Sequence, residues 1–304
     1  MLEPQAASSE AARALLAEAR SARDSVLDIV RVSRPQRVGV PTSPEFRPAG
    51  FWKDGDRLFV LDLGGQVLYR SSGAQFEVAL RPGDMYGEQP LGRLVTAGWS
   101  PARGTNTEGQ LLLLDHVRSL ISVSPVSTDV RRWWPPDNGE WQRIGAAAAT
   151  YDDLFFLDTE RGEVWRYPAR LPGAAGSIVA RSTAELRLGS AVDLATDGNL
   201  YLLFPDGEIV KRAPGSGDLP FDGTVPDRSL HAPTALFAHP DLDHVWVLEP
   251  GEARVVEFTN QGAYVRQFAF PQELVRNAVG LHVDGIAQEL RVLTPQYILL
   301  VKME

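Results

Sequence analysis

Leu58-Phe59-Val60-Leu61-Asp62 is the stretch on which the reading of the fold turns. Four apolar residues closed by an acid recur as Leu111-Leu112-Leu113-Leu114-Asp115 and Leu154-Phe155-Phe156-Leu157-Asp158. Looser copies follow at Leu200-Tyr201-Leu202-Leu203-Phe204, Val245-Trp246-Val247-Leu248-Glu249 and Leu290-Arg291-Val292-Leu293-Thr294. The fifth residues stand at 62, 115, 158, 204, 249 and 294, at intervals of 53, 43, 46, 45 and 45. A near-constant period of this size marks a repeat architecture, in which each unit buries its apolar faces against its neighbours. Apolar runs of four or five residues suit strands covered on both faces.

Each run is set among further strand signals. A turn follows it, at Gly64-Gly65, Arg161-Gly162, Asp206-Gly207 or Gly251. Then comes an alternating segment such as Gln66–Arg70, Glu163–Tyr167, Glu208–Arg212 or Arg254–Phe258. Gly and Asp at these places supply tight-turn geometry. A short strand precedes several runs, at Leu94–Ala97, Ile144–Ala149, Ala191–Ala195, Thr234–Ala238 and Val279–Val283, and a fourth follows, as in Asp129–Trp134 and Tyr264–Phe270. Four antiparallel strands per unit make a propeller blade. Small residues crowd the strands assigned to the axis, among them Ala146 to Ala149, Ala191, Ala195, Ala235, Ala238, Ala278 and Gly280, because converging blades leave little room there. The fold class is therefore all-β, a six-bladed β-propeller of four-stranded antiparallel blades. The sixth unit ends one strand short at Tyr297–Met303, and Gln36–Val40 is the spare strand that should close it. Closure removes an exposed edge that would invite aggregation.

Ahead of the repeats, residues 8–30 read as a helix, with Ser8 or Ser9 as cap and Glu10 in its first turn. Ala12, Leu15, Ala19, Ala22, Val26 and Ile29 form a short heptad seam. Such a seam packs on a main domain, or it ends a helical linker from an upstream region. The expected division is a helical segment over 1–33 and a propeller over 34–304.

The 304 residues are 44% hydrophobic and 23% charged, with 27 Gly and 22 Pro. This is the balance of a globular chain rich in turns. Cysteine is absent, which excludes disulfides, thiolate metal sites and a Cys nucleophile. A net charge of −9 argues against a dedicated nucleic-acid binder. No run of apolar residues is long enough to span a membrane, and the N-terminus lacks the apolar core of a signal peptide. The expected setting is a soluble domain, cytoplasmic or the extracytoplasmic part of a longer membrane protein.

The repeats resemble the NHL family of six-bladed propellers. Unit four carries the likeness best, in Ser190-Ala191-Val192-Asp193-Leu194-Ala195-Thr196-Asp197-Gly198-Asn199-Leu200. Unit five matches the family's second half through Arg254–Phe258 and Gly262, while Phe204 and Thr294 depart from its habit of ending the second strand in Asp. The resemblance implies architecture over residues 49–303, with Asp193 as a structural acid that bonds a neighbouring turn. It implies little about activity, since such propellers serve as recognition tails, as sensor domains of bacterial signalling proteins and in a few enzymes. A helix running into a propeller is also similar in organisation to bacterial signalling proteins with a propeller tail.

Propeller hydrolases of the lactonase type hold a divalent metal with acids and amides from the inner strands. Here those strands offer only Asp193, Asp284 and His282 as weak candidates, fewer than a zinc or calcium site needs. His239-Pro240-Asp241-Leu242-Asp243-His244 has metal-like composition but falls in a turn between strands. No nucleophile elbow, phosphate loop or dinucleotide fingerprint occurs. We therefore expect no cofactor and no catalytic residue. The segment Arg131-Arg132-Trp133-Trp134-Pro135-Pro136-Asp137-Asn138-Gly139-Glu140-Trp141 concentrates Arg and Trp, the residue types enriched in binding hot spots. Trp99 and Arg103, in a polar insertion of unit two, form a second candidate surface, as loop insertions on one face of a repeat array often do. The expected function is a non-enzymatic recognition or sensor module for a protein, peptide or small ligand. The alternatives are a metal-dependent propeller hydrolase and a scaffold that self-associates through residues 8–30.

Overall fold

The computed structural model describes residues 10–72, 75–103, 108–127 and 129–303. Six sheets follow one another along the chain, each running from an inner strand outward. The inner strands are Pro48–Asp54, Leu94–Ser100, Ile144–Ala149, Asp193–Thr196, Ala235–Ala238 and Gly280–Asp284. Each neighbours the next, and the sixth returns to the first. The chain is a six-bladed β-propeller. The apolar runs are the second strands, Arg57–Asp62, Gln110–Asp115, Asp153–Asp158, Leu200–Leu203, His244–Glu249 and Glu289–Leu293.

The lack of polar alternation in these runs now has a geometric cause. Side chains alternate between the two faces of a sheet, and both faces of a blade are interfaces. In blade two, Leu111 and Leu113 pack toward blade one, and Leu112 and Leu114 toward blade three. In blade three, Leu154 and Phe156 meet blade two, while Phe155 and Leu157 meet blade four. The same split recurs at Tyr201 and Leu203 against Leu200 and Leu202. Six apolar clusters thus occupy the six gaps between blades, the last joining Leu293 and Ile298 of blade six to Val60 of blade one.

The acid that closes each run pins the loop arriving from the preceding blade. Asp62 accepts from the amides of Arg47, Gly64 and Gly65 at 2.8, 2.9 and 3.1 Å. Asp158 takes the amides of Gln142, Arg143, Glu160 and Arg161. Asp115 holds Gly92 and Ser119, and Glu249 holds His231. Each of these carboxylates is buried, and each satisfies amides that would otherwise be stranded. At the same place in blade six, Thr294 accepts from the amides of Gln296 and Tyr297.

The spare strand closes the ring as expected. Strand β2 (Gln36–Gly39) pairs antiparallel with Tyr297–Lys302 in register Gln36 to Leu300 and Gly39 to Tyr297. The N-terminal helix differs from expectation. Helix α1 spans Glu10–Val26, shorter than 8–30, and Ser8 and Ser9 lie outside the described residues. Asp28 adopts a left-handed φ of 47° and turns the chain. Ile29, read from sequence as the end of the seam, instead begins strand β1 (Ile29–Arg31). This strand adds a fifth, parallel member to blade five beside Gln267–Ala269. No described residue of α1 is buried, and Leu15 and Val26 of its seam are exposed. Arg23 reaches Asp227 of blade five at 3.0 Å.

Candidate functional site

The inner strands enclose a central channel of about 260 Å³, lined by residues of all six. Its wall is built in layers. Gly50, Thr96, Ala146, Asp193, Ala235 and Gly280 pair with equivalent residues of their second strands and form one layer. Two residues deeper come Trp52, Gly98, Ala148, Ala195, Phe237 and His282. Small residues make most of this wall because the blades converge. A Cβ at Gly98 would stand 3.2 Å from the backbone of Ala148.

The two mouths differ. Where the inner strands begin, Ala49, Gly145, Val192 and Thr234 line the channel and are exposed, so this inlet is open. At the far mouth the loops fold over. Tyr151 of blade three donates its hydroxyl to Asp241 of blade five, passing across blade four. Arg103 of blade two stacks on the Tyr151 ring at 4.9 Å and lies 3.7 Å from Asp152. Burial, with the hydrogen bond to Asp241, pushes the Tyr151 hydroxyl up to about 12, so it remains a donor. The channel is open where the inner strands begin.

The ionisable groups of the tube are each constrained. Asp193 accepts from its own blade's Leu194 amide at 2.8 Å and from the Leu236 amide of blade five at 2.7 Å. The second bond joins inner strands, where the sequence suggested a turn. Burial raises this carboxyl to about 6 despite the two amides. His282 sits between the rings of Phe51 and Phe237, at 5.9 and 5.0 Å. Burial first, then nearby cationic groups, lowers it to about 3, so the imidazole is neutral, and its buried Nδ1 has no hydrogen-bond partner among the described residues. Burial also lowers His239. Asp284 pairs with Lys53; burial alone would raise its carboxyl, but the Ala287 amide and the Lys53 ammonium together hold it below the usual range. Among the described residues, no three His, Asp or Glu side chains converge as metal ligands.

The Arg/Trp segment lies on the outer edge of blade two, away from the channel. Trp141 is a core residue, 1% exposed, whose indole donates to the Tyr167 hydroxyl at 2.9 Å. Tyr167 in turn donates to Asp137, which also holds the Gly176 amide. The loop is thereby sewn to blade three. Arg132 is likewise turned inward. Its guanidinium meets Asp115 at 2.9 Å, Ser119 at 2.7 Å and the carbonyls of Gln89 and Pro90. Trp133 packs between blades two and three. Arg131 and Trp134 remain at the surface, Trp134 covering Arg132 at 4.6 Å. Trp99 is half-buried against Phe59 and lines the channel. Residues 104–107 of its insertion lie outside the described residues.

One set of residues escaped the sequence reading. Arg47, Arg93 and Arg143 each stand three positions before the first channel layer, at the inlet rim of blades one, two and three. Their carbonyls accept from Leu63, His116 and Thr159, the residues just after the pinning acids. Ser190, Ala232 and Asn277 occupy the place in blades four to six. The signal was an Arg fifteen positions before Asp62 and before Asp158, visible only once the repeats are aligned.

No family model matches the chain, and no curated protein matches it in sequence. Solved structures do match in shape. Virginiamycin B lyase from Staphylococcus aureus is 11% identical with a TM-score of 0.52, covering 89% of each chain. A chain of the nidogen/laminin complex is 14% identical with a TM-score of 0.54, over 78% of this chain and 84% of that one. The extracellular domain of a hybrid two-component system protein from B. thetaiotaomicron is 12% identical with a TM-score of 0.53, over 88% of this chain and 40% of that one. The likeness is one of fold. Among these neighbours are an enzyme, a member of a protein complex and a sensor-system domain, and the fold is common to all three. No helix among the described residues is long and apolar enough to cross a membrane.

Proposed function

We propose that this propeller is a non-catalytic recognition module that takes a small, largely apolar ligand into its channel through the inlet. The observation that carries this reading is the channel itself, open where the inner strands begin and walled by small residues, Trp52, Trp99 and Phe237, with Thr96, Asp193, Thr234 and His282 among them. Pockets for small molecules are concave, mostly apolar and provided with a few polar groups. The polar groups here favour holding over reacting. A general acid or base needs a pKa near the working pH and reach to the reacting proton. His282 stays neutral, Asp284 is paired with Lys53, and Asp193, although raised to about 6, holds an amide on each oxygen.

Calorimetric titration with 1-hexanol, a small probe with an apolar body and one hydroxyl, tests the reading. Binding to the wild-type chain and its loss in Val192→Trp, which fills the inlet from an exposed position, is the expected result. Equal binding to both, or none to either, removes the channel as the site. A second reading, self-association through α1, is favoured by the exposure of Leu15 and Val26 along its seam, and light scattering of wild type against Leu15→Glu separates the two.

A further inference from the structure

The inlet rim carries charge that the channel does not explain. Arg47 and Arg93 line one cleft of about 460 Å³ with Glu45, Leu63 and Gly64. Leu63 also lines the channel, so cleft and tube share a residue. Both arginines are exposed, and neither makes an ion pair among the described residues. Arg143 continues the arc on blade three, its Nε resting on Thr159 at 3.1 Å. These side chains are held out at fixed points, because each backbone is bonded on both sides to the loop after the second strand. Nearby, Asp62 takes the amides of Arg47, Gly64 and Gly65 on Oδ1, and its buried Oδ2 has no hydrogen-bond partner among the described residues. Glu45 is the acid among the lining residues. Gly64 allows the walls to meet, since a Cβ there would fall 1.8 Å from the Glu45 carbonyl. Three arginines without an ion pair among the described residues thus stand in an arc beside the open mouth.

We propose that this cleft binds an oxyanion, carboxylate or phosphate, borne by the ligand whose apolar part enters the channel; the second half of this statement rests on the channel reading above. Guanidinium groups match oxyanions in planar, two-pronged geometry, and such charge-assisted bonds are about twice as strong as neutral ones. The ligand class is a small amphipathic acid, its head at Arg47 and Arg93 and its tail past Leu63.

The test is calorimetry on the full chain with sodium hexanoate, 1-hexanol and inorganic phosphate, using wild type and Arg47→Ala/Arg93→Ala. Both substitutions are at exposed positions, and thermal melting checks that the fold is kept; Arg47→Gln/Arg93→Gln replaces the pair if it is not. The expected result is hexanoate binding at least about tenfold tighter than hexanol, with that advantage lost in the double variant and hexanol unaffected. Phosphate should compete with hexanoate. If hexanoate and hexanol bind alike, or the advantage survives in the variant, the oxyanion site is overturned while the channel stands. If phosphate binds in an arginine-dependent way but neither six-carbon probe does, the cleft is upheld and the channel reading fails. Absence of binding by all three overturns the proposal.

Discussion

Tyr151 and Asp241, ninety residues apart, are joined by a hydrogen bond that ties the loop after the inner strand of blade three to that of blade five. The bond links loops, not strands, so it lies outside the core. Tyr151→Phe should leave the melting temperature within about 2 °C of wild type, as expected for a loop substitution outside the core. Amide exchange at residues 98–100 and 147–149 should quicken, because the inner-strand ends lose their cover. Unchanged exchange there would mean that other groups hold these ends.

The Arg132–Asp115 pair lies wholly inside blade two, with side chains 2% and 0% exposed. Breaking a buried pair leaves one charge unmatched and costs about 3–5 kcal/mol. Arg132→Ala should show a loss of that order in urea denaturation. Trp141→Ala should cost a similar amount, about 3–5 kcal/mol, through the cavity it leaves and the lost bond to the Tyr167 hydroxyl. Trp134→Ala removes only the stacked cover of Arg132 and should cost about 0.5–1 kcal/mol. Equal losses in all three would contradict the division between core and surface drawn for this segment.

Two channel residues should tilt the pH dependence of stability in opposite directions. His282 falls from its ordinary 6.5 to about 3 in the folded chain. Its neutral form favours folding, so that contribution is complete above pH 6.5 and is lost as the pH falls through that window toward 3. Asp193 rises from 3.8 to about 6. Its protonated form favours folding, so that contribution is complete below about pH 3.8 and is lost as the pH rises toward 6. Each slope is bounded by about 1.4 kcal/mol per pH unit. Between pH 6.5 and 4, His282→Phe should lose less stability than wild type, and Asp193→Asn should lose more. Melting curves across that range give the answer; parallel curves for all three chains would show that neither group is coupled to folding.

Removal of the N-terminus should act in two steps. Deleting residues 1–26 takes away a helix with no buried residue and should leave the melting temperature almost unchanged. Deleting residues 1–40 also removes β1 and β2, baring the outer edges of blades five and six. A drop of roughly 10 °C or more is expected, corresponding to a loss of several kcal/mol. Equal melting of the two truncations would show that closure contributes nothing.

What the sequence made legible was whatever the repeat repeats. The apolar runs, the pinning acids at 62, 115, 158 and 249 and the missing strand of blade six all emerge from spacing, because the same local packing is imposed in each blade. Features that occur once were hidden. Ile29 fits the heptad spacing of α1, and only the left-handed Asp28 diverts it into β1. For Trp141 the sequence left open a binding role and the filling of a gap between blades, because its partner, Tyr167, is 26 residues away. Arg132 looked like a surface anchor until Asp115 and Ser119 were found beneath it. The rim arginines fall between these cases, since they repeat over half the ring and then stop.

The strap made by β1 and β2 sets how the molecule would bear a load. Tension applied through α1 meets first the parallel edge at Ile29–Arg31 and then the antiparallel edge at Gln36–Gly39. Both edges are peripheral, so the force meets the outer strands of blades five and six first. Blade six, assembled from residues 36–39 and 280–302, is the seam at which such a hoop parts. Strain at that seam would reach the channel through Gly280–Asp284, the strand that carries His282, and so couple traction on the helix to the geometry of the tube.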